Sequence, residues 1–160
     1  MAEARTEGTA ELPTADDTLA LGAELGADLR AGDVVVLSGP LGAGKTVLAK
    51  GIARAMDVEG AVTSPTFVLA RVHPARQAGR PALVHVDVYR LLGGHAGVDA
   101  DLLGELDSLD LDTDLDDAVV VVEWGEGLAE RLSDRHLDVR LERGGETETR
   151  TAVWRWSERP

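Results

Sequence analysis

The chain begins with a helical pattern of apolar residues. Leucines recur every fourth residue between positions 21 and 29, which is the spacing of one face of an α-helix. Thr14 with Asp17 three residues later matches a capping box, which predicts where the helix begins. Gly32 is expected to end it. The pattern therefore predicts an amphipathic helix between Thr14 and Gly32.

A strand, a glycine-rich loop and a second helix follow. The apolar run within residues 33–38 predicts a buried strand. Residues 46–56 carry apolar side chains at helical spacing, with Leu48 and Ile52 expected to face the core. A strand that leads through glycines directly into a helix is typical of phosphate-binding turns.

Strands dominate the second half. Apolar runs and period-two alternation predict strands at residues 67–72, 83–89, 118–122, 137–141 and 149–156, and short helices at 99–109 and 125–132. Gly144-Gly145 between the last two strands is a hairpin signal. The order of elements predicts a three-layer α/β domain, whose mixed sheet has a parallel core with antiparallel additions.

Length and composition are those of one globular domain. The 160 residues are expected to form a single domain, with residues 1–11 as a disordered tail. The chain has no cysteine, so disulfides and thiolate chemistry are excluded. It has no apolar run near the ~20 residues of a membrane helix and no secretory signal pattern. These features agree with a cytoplasmic protein.

The net charge of −13 is concentrated in one segment. Residues 91–130 contain 12 acidic residues and neither Lys nor Arg, whereas the remaining chain has 17 acids and 16 bases. A chain of this charge lacks the basic face that autonomous nucleic-acid binding requires. The acidic segment is interpreted either as a solvated surface or as a docking surface for a basic partner.

The most specific motif is the loop Gly39-Pro40-Leu41-Gly42-Ala43-Gly44-Lys45-Thr46. Its two glycines around four residues, followed by Lys and a hydroxyl, match the P-loop pattern. Main-chain amides and the helix N-terminus are expected to bind phosphates, Lys45 to reach the terminal phosphates, and Thr46 to bind Mg²⁺. The fold is therefore predicted to be a P-loop NTPase domain. The chain has no Asn-Lys-x-Asp guanine signature, which favours ATP.

Two acidic residues lie within or directly after predicted strands. Glu123 follows four valines and resembles the acid of a Walker B strand, which would bring a carboxylate to the P-loop metal. Alternation places His85 and Asp87 on one face of their strand. Asp87 is predicted to position or deprotonate the attacking water or to hold Mg²⁺ through a water, and His85 to pack or hydrogen-bond.

A third segment, Thr63-Ser64-Pro65-Thr66-Phe67, lies after the predicted P-loop helix, where a switch that senses the γ-phosphate would lie. Read alone, the segment is more typical of a Ser-Pro turn before a strand. The spacing identifies no arginine as an arginine finger.

Together these motifs resemble the TsaE family, also called YjeE. The resemblance rests on residues 39–46, 64–67, 85–91 and 123–124 in this order and spacing, with a weaker match at 18–22. It covers roughly residues 12–141. It implies a Mg²⁺-dependent ATPase required for threonylcarbamoyladenosine in tRNA, which works with a TsaB–TsaD pair and does not transfer the group itself.

The resemblance also implies residue roles. Thr18, Gly39, Leu41, Gly42, Ala43, Gly44, Lys45 and Thr46 would bind the nucleotide, Thr46 and Glu123 the Mg²⁺, and Asp87, Lys45 and Thr66 would act in hydrolysis. Activity is expected to be weak alone, because an arginine supplied by a partner would be missing. The alternatives are a small-molecule or nucleotide kinase, and a nucleotide-gated binding module that does not hydrolyse ATP.

Overall fold

A single mixed sheet forms the centre of the described structure. The computed structural model describes residues 7–39, 44–60, 70–87, 117–123, 135–143 and 149–158. In chain order these contain β1 (Glu7–Leu12), α1 (Ala15–Gly26), β2 (Val34–Ser38), α2 (Lys45–Met56), β3 (Ala70–His73), β4 (Ala82–Asp87), β5 (Ala118–Glu123), β6 (Arg135–Arg143) and β7 (Arg150–Glu158).

The sheet has seven strands in the order β1-β7-β6-β2-β5-β4-β3. The four central strands, β6, β2, β5 and β4, run parallel to one another. β3 pairs with β4, β7 with β6, and β1 with β7, each in antiparallel fashion. This confirms the predicted α/β fold with a parallel core and antiparallel additions. It also places the carboxyl ends of β2, β5 and β4 at one edge of the sheet.

Both described helices pack on one face of this sheet. Val35 and Leu37 of β2 join Leu48, Ile52 and Met56 of α2 in one buried apolar cluster. α1 and α2 approach each other closely, because a Cβ at Gly51 would overlap the carbonyl oxygen of Leu19 and one at Gly22 would overlap that of Leu48. Glycines at this crossing allow the two backbones to touch.

The second face of β2, β4 and β5 is buried as well. Val34 and Val36 of β2 are each 2% exposed, and the alternate residues of β4 and β5 are at most 1% exposed (Val84, Val86, Val120 and Val122). Burial on both faces is typical of parallel strands and explains their nearly continuous apolar sequences. The third layer and the two short helices fall outside the described residues and stay predictions.

Two boundary predictions were wrong. Residues 7–11 are not part of a disordered tail, because β1 pairs with β7 along its whole length and Gly8 lies against the ring of Trp154. α1 ends at Gly26, six residues before Gly32. Leu29 instead packs against the core from a turn in which its amide donates to the Gly26 carbonyl at 3.2 Å. Leu29 therefore continued the apolar spacing of the helix beyond its true end, which made the predicted helix too long.

The capping-box prediction is confirmed. The Thr14 hydroxyl accepts a hydrogen bond from the Asp17 amide at 3.3 Å, and the Asp17 carboxylate accepts one from the Thr14 amide at 3.0 Å.

Neither described helix is long and apolar enough to cross a membrane.

Candidate functional site

The two ends of the glycine-rich loop meet at Lys45. Its Nζ donates a 2.7 Å hydrogen bond to the carbonyl oxygen of Gly39, and the residue is only 5% exposed. Gly39 has φ 137° and Gly44 has φ 100°, a region of backbone space that favours glycine. The lysine therefore spans a loop whose two terminal glycines permit its tight turn.

The N-terminus of α2 lies directly beside this lysine. Its N-cap is Gly44, whose hydrogen side chain cannot bond to the first amides of the helix. Those amides carry the partial positive charge of the helix dipole, and Thr46 is the second residue of the helix. An uncapped N-terminus next to an ammonium group is suited to an anion such as phosphate.

Thr18 of α1 is placed at the same loop. It is 2% exposed, and its hydroxyl donates to the Thr14 carbonyl at 3.4 Å. Its methyl group lies 3.7 Å from the position that a Cβ of Gly44 would occupy. The structure thus brings Thr18, a predicted nucleotide-binding residue, next to the end of the loop.

The two predicted acidic residues end adjacent strands at the carboxyl edge of the sheet. Glu123, the last residue of β5, is the register partner of Leu37 on one side and of Asp87 on the other. Leu37 and Ser38 end β2, and the loop follows directly. Asp87 and Glu123 therefore end two adjacent strands at the edge of the sheet from which the loop follows, the edge at which parallel sheets bind ligands.

Glu123 has a buried histidine as its hydrogen-bond partner. The Nε2 of His85 lies 2.6 Å from the Oε2 of Glu123, and the two side chains are only 1% and 7% exposed. The hydrogen-bonding option foreseen for His85 is correct. The register of β4 and β5, which sets this contact, is not readable from either strand alone.

A second buried histidine lies on the adjacent edge strand. His73 of β3 is 2% exposed, and its Nδ1 lies 2.9 Å from the carbonyl oxygen of Glu59. Burial lowers the pKa of His73 below its ordinary value of 6.5, and the charges of His85 and Arg71 lower it further, while the bond to Glu59 acts in the opposite direction. No sequence motif pointed to this residue.

Part of the predicted site lies outside the described residues. This applies to Leu41, Gly42 and Ala43 of the loop, to Thr66 of the switch-like segment, and to the side chain of Asp87. Gly39, Gly44, Lys45, Thr46 and Glu123 are placed together around the carboxyl ends of β2 and β5. Their roles toward a nucleotide or metal stay predictions.

A cavity of about 560 Å³ lies at the opposite end of the molecule. It is lined by the ends of both helices, including Ala27 and Met56, and by Pro81 and Asp117, which precede β4 and β5. It is therefore separate from the loop, which follows the carboxyl end of β2.

Sequence comparisons agree on one family. The family model described as "Threonylcarbamoyl adenosine biosynthesis protein TsaE" matches residues 12–152. A Mycobacterium tuberculosis protein named "tRNA threonylcarbamoyladenosine biosynthesis protein TsaE" is 74% identical over 149 residues, 93% of this chain and 87% of that protein. A Streptomyces coelicolor protein of the same name is 55% identical over 123 residues, 77% of each chain.

The fold comparison agrees as well. The crystal structure of Bacillus subtilis YdiB superposes with a TM-score of 0.67 at 25% identity, covering 99% of this chain and 90% of that one. The family model covers most of the chain, including the loop and the two acidic residues at strand ends, Asp87 and Glu123. The chain belongs to the TsaE family of tRNA threonylcarbamoyladenosine biosynthesis.

Proposed function

We propose that this chain is the ATP-binding and ATP-hydrolysing subunit of an assembly that makes threonylcarbamoyladenosine in tRNA. In this proposal it acts with a TsaB–TsaD type pair and does not itself transfer the threonylcarbamoyl group. Because tRNA is the object of the pathway, we expect it to act in the cytoplasm. Its part is to couple ATP turnover to the cycle of the assembly.

One observation carries the proposal. Lys45 lies at the uncapped N-terminus of α2 and already binds a loop carbonyl, that of Gly39, at 2.7 Å. A buried carboxylate, Glu123, ends the strand next to the one that leads into this loop. Positive groups for phosphates and a carboxylate for a metal thus share one edge of the sheet.

The donors available suit Mg²⁺. Thr46 offers a hydroxyl and Glu123 a carboxylate, and Mg²⁺ is usually held by one or two carboxylates together with phosphate oxygens and waters. Within the described ranges no group of three or more His, Cys, Asp or Glu residues is arranged to hold a metal. When bound, Mg²⁺ would neutralise charge on the phosphates, with Thr46 and Glu123 as its protein ligands.

The remaining roles divide between binding and hydrolysis. Lys45 and the α2 amides hold the terminal phosphates, and Thr18 lies beside the nucleotide. Asp87 acts on the attacking water, and Thr66 belongs to the segment that senses the γ-phosphate. A partner supplies the arginine that balances charge on the transferred phosphoryl group, which in other systems accelerates turnover by about 10³-fold or more.

The first test measures release of ADP and phosphate by the purified chain, alone and with the TsaB–TsaD pair. We expect slow release alone and a marked increase with the pair, without any added acceptor. ADP formed only with an added acceptor would identify a kinase, and tight ATP binding without turnover would identify a binding switch. Full activity of the isolated chain would contradict the need for partners.

The second test addresses the pathway. Depletion of the protein in its own cells should lower threonylcarbamoyladenosine in bulk tRNA, measured by nucleoside mass spectrometry. Wild-type protein should restore the nucleoside and Lys45→Ala should not. Unchanged threonylcarbamoyladenosine after depletion would reject the proposed function.

A further inference from the structure

The contact between His85 and Glu123 joins the candidate metal site to the sheet interior. The Nε2 of His85 lies 2.6 Å from the Oε2 of Glu123, which is a short hydrogen bond. Both side chains are almost completely buried, at 1% and 7% exposure. A buried carboxylate needs such a donor, because a lone buried charge is strongly unfavourable.

The register of β4 and β5 brings His85 close to Glu123. His85 is the register partner of Val121, two residues before Glu123, so the histidine reaches diagonally toward the end of β5. Residues two apart on a strand share a face, and the histidine therefore approaches from within the sheet. The bond to Oε2 leaves Oε1 of Glu123 as the second acceptor.

We propose that His85 is a positioning residue, whose N–H holds the Glu123 carboxylate in the orientation that binds Mg²⁺ at the loop. This inference rests on the proposed function. Carboxylates that bind metals are commonly held by hydrogen bonds from outer groups, and loss of such a partner typically costs about 10- to 100-fold in metal affinity or activity. The effect is geometric, since one oxygen is held in place while the other faces the ligand.

A purely structural role makes a different prediction. If His85 only satisfies a buried carboxylate, its loss lowers the stability of the fold and leaves metal affinity unchanged in the folded protein. If His85 positions Glu123, loss of His85 weakens metal binding even when the protein is fully folded. Metal affinity measured on folded protein therefore separates the two roles.

The test uses His85→Gln and His85→Asn. The longer glutamine can place an amide N–H close to the position of Nε2, whereas the shorter asparagine cannot reach Oε2. The probes are ADP affinity in EDTA, and Mn²⁺ affinity of the protein–ADP complex measured by electron paramagnetic resonance. Thermal unfolding without nucleotide identifies conditions in which every variant is folded.

We expect His85→Asn to bind ADP in EDTA like the wild type, and to bind Mn²⁺ about tenfold or more weakly. His85→Gln should recover most of the lost Mn²⁺ affinity. Wild-type Mn²⁺ affinity in His85→Asn, or equal losses in both variants, would overturn the inference.

His73→Asn is the matched control. His73 is equally buried on the neighbouring strand but bonds to the Glu59 carbonyl, not to Glu123. This variant should keep wild-type Mn²⁺ affinity, and an equal loss would show a general effect of disturbing β3 and β4, which overturns the inference. A wild-type complex that binds ADP but no Mn²⁺ would reject the proposed metal site itself, a failure distinct from that of His85 alone.

Discussion

Asp87 and Glu123 are register partners, the last residues of two adjacent parallel strands. Because neighbouring strands in a parallel sheet end at the same edge, two residues 36 positions apart in sequence lie at the edge from which the glycine-rich loop follows. They have different expected duties. Glu123 is held by His85 and suited to a metal, whereas Asp87 is the residue expected to act on water.

Asp87→Asn should separate binding from hydrolysis. The amide cannot accept a proton from water, so we expect ATP turnover with partners to fall by about 10²-fold or more, while ATP affinity stays at the wild-type value. Phosphate release and equilibrium nucleotide binding measure the two quantities. A loss of affinity as large as that of Lys45→Ala would contradict this division.

Lys45→Ala should weaken nucleotide binding. A hydrogen bond to a charged group contributes about 1.5–3 kcal/mol, so we expect ATP affinity to fall about 10- to 100-fold. Titration calorimetry with ATP and Mg²⁺ measures it. Lys50→Ala is the control, since Lys50 is the only other lysine of the chain and lies exposed on the same helix. Equal losses in both variants would indicate nonspecific attraction of ATP to positive charge.

Gly51→Ala should destabilise the fold although alanine favours helices. The new Cβ would overlap the Leu19 carbonyl and lie 3.0 Å from the Cα of Gly22, and neither backbone atom can move without shifting a helix. Overpacking of this kind costs about 1–3 kcal/mol in the free energy of unfolding. Urea unfolding measures the change, with the exposed neighbour Lys50→Ala as a control of nearly unchanged stability. A stabilised Gly51→Ala would show that the helices can separate freely.

Arg135→Met should destabilise the fold, because it removes the partner of a buried charge just before β2. Asp33 is 4% exposed, and its Oδ2 accepts from the Arg135 guanidinium at 2.8 Å and from the Arg30 amide at 2.8 Å. The guanidinium also stacks 4.1 Å from the Trp156 ring centroid. Removing one partner of such a pair costs about 3 kcal/mol.

Arg135→Met with Asp33→Asn should cost less than the sum of the two single changes in the free energy of unfolding. Purely additive losses would mean that the two side chains stabilise the fold independently. Urea unfolding of the four proteins in this cycle measures the coupling.

His73 should make stability depend on pH. Its pKa in the folded protein is lowered from 6.5, so the unfolded chain binds a proton more readily. The contribution of uncharged His73 to the free energy of unfolding is therefore fully present above pH 6.5. It is lost as the pH falls from there toward the lowered pKa.

The measurement is the free energy of unfolding from pH 7.5 down to pH 5 for wild type and His73→Asn. Asparagine can still donate to the Glu59 carbonyl but does not titrate in this range. Below pH 6.5 the His73→Asn variant should therefore lose less free energy of unfolding than the wild type. Parallel pH profiles would contradict the role of His73.

Local sequence patterns were enough to predict the first elements of the fold. Helix periodicity, the Thr14 capping box and the apolar run before Gly39 each express short-range rules, so α1, β2, α2 and the parallel-core fold could be predicted. The family resemblance also rested on short motifs, at residues 39–46, 64–67, 85–91 and 123–124, and it is confirmed by the family model over residues 12–152.

Contacts between distant residues follow instead from the order and register of the strands. Strand order places β5 between β2 and β4, and the register of β4 and β5 brings His85 to Glu123. Pairing of β1 with β7 likewise ordered residues 7–11, which carry few apolar side chains of their own. These contacts depend on hydrogen bonding and packing between segments far apart in sequence, which no local pattern encodes.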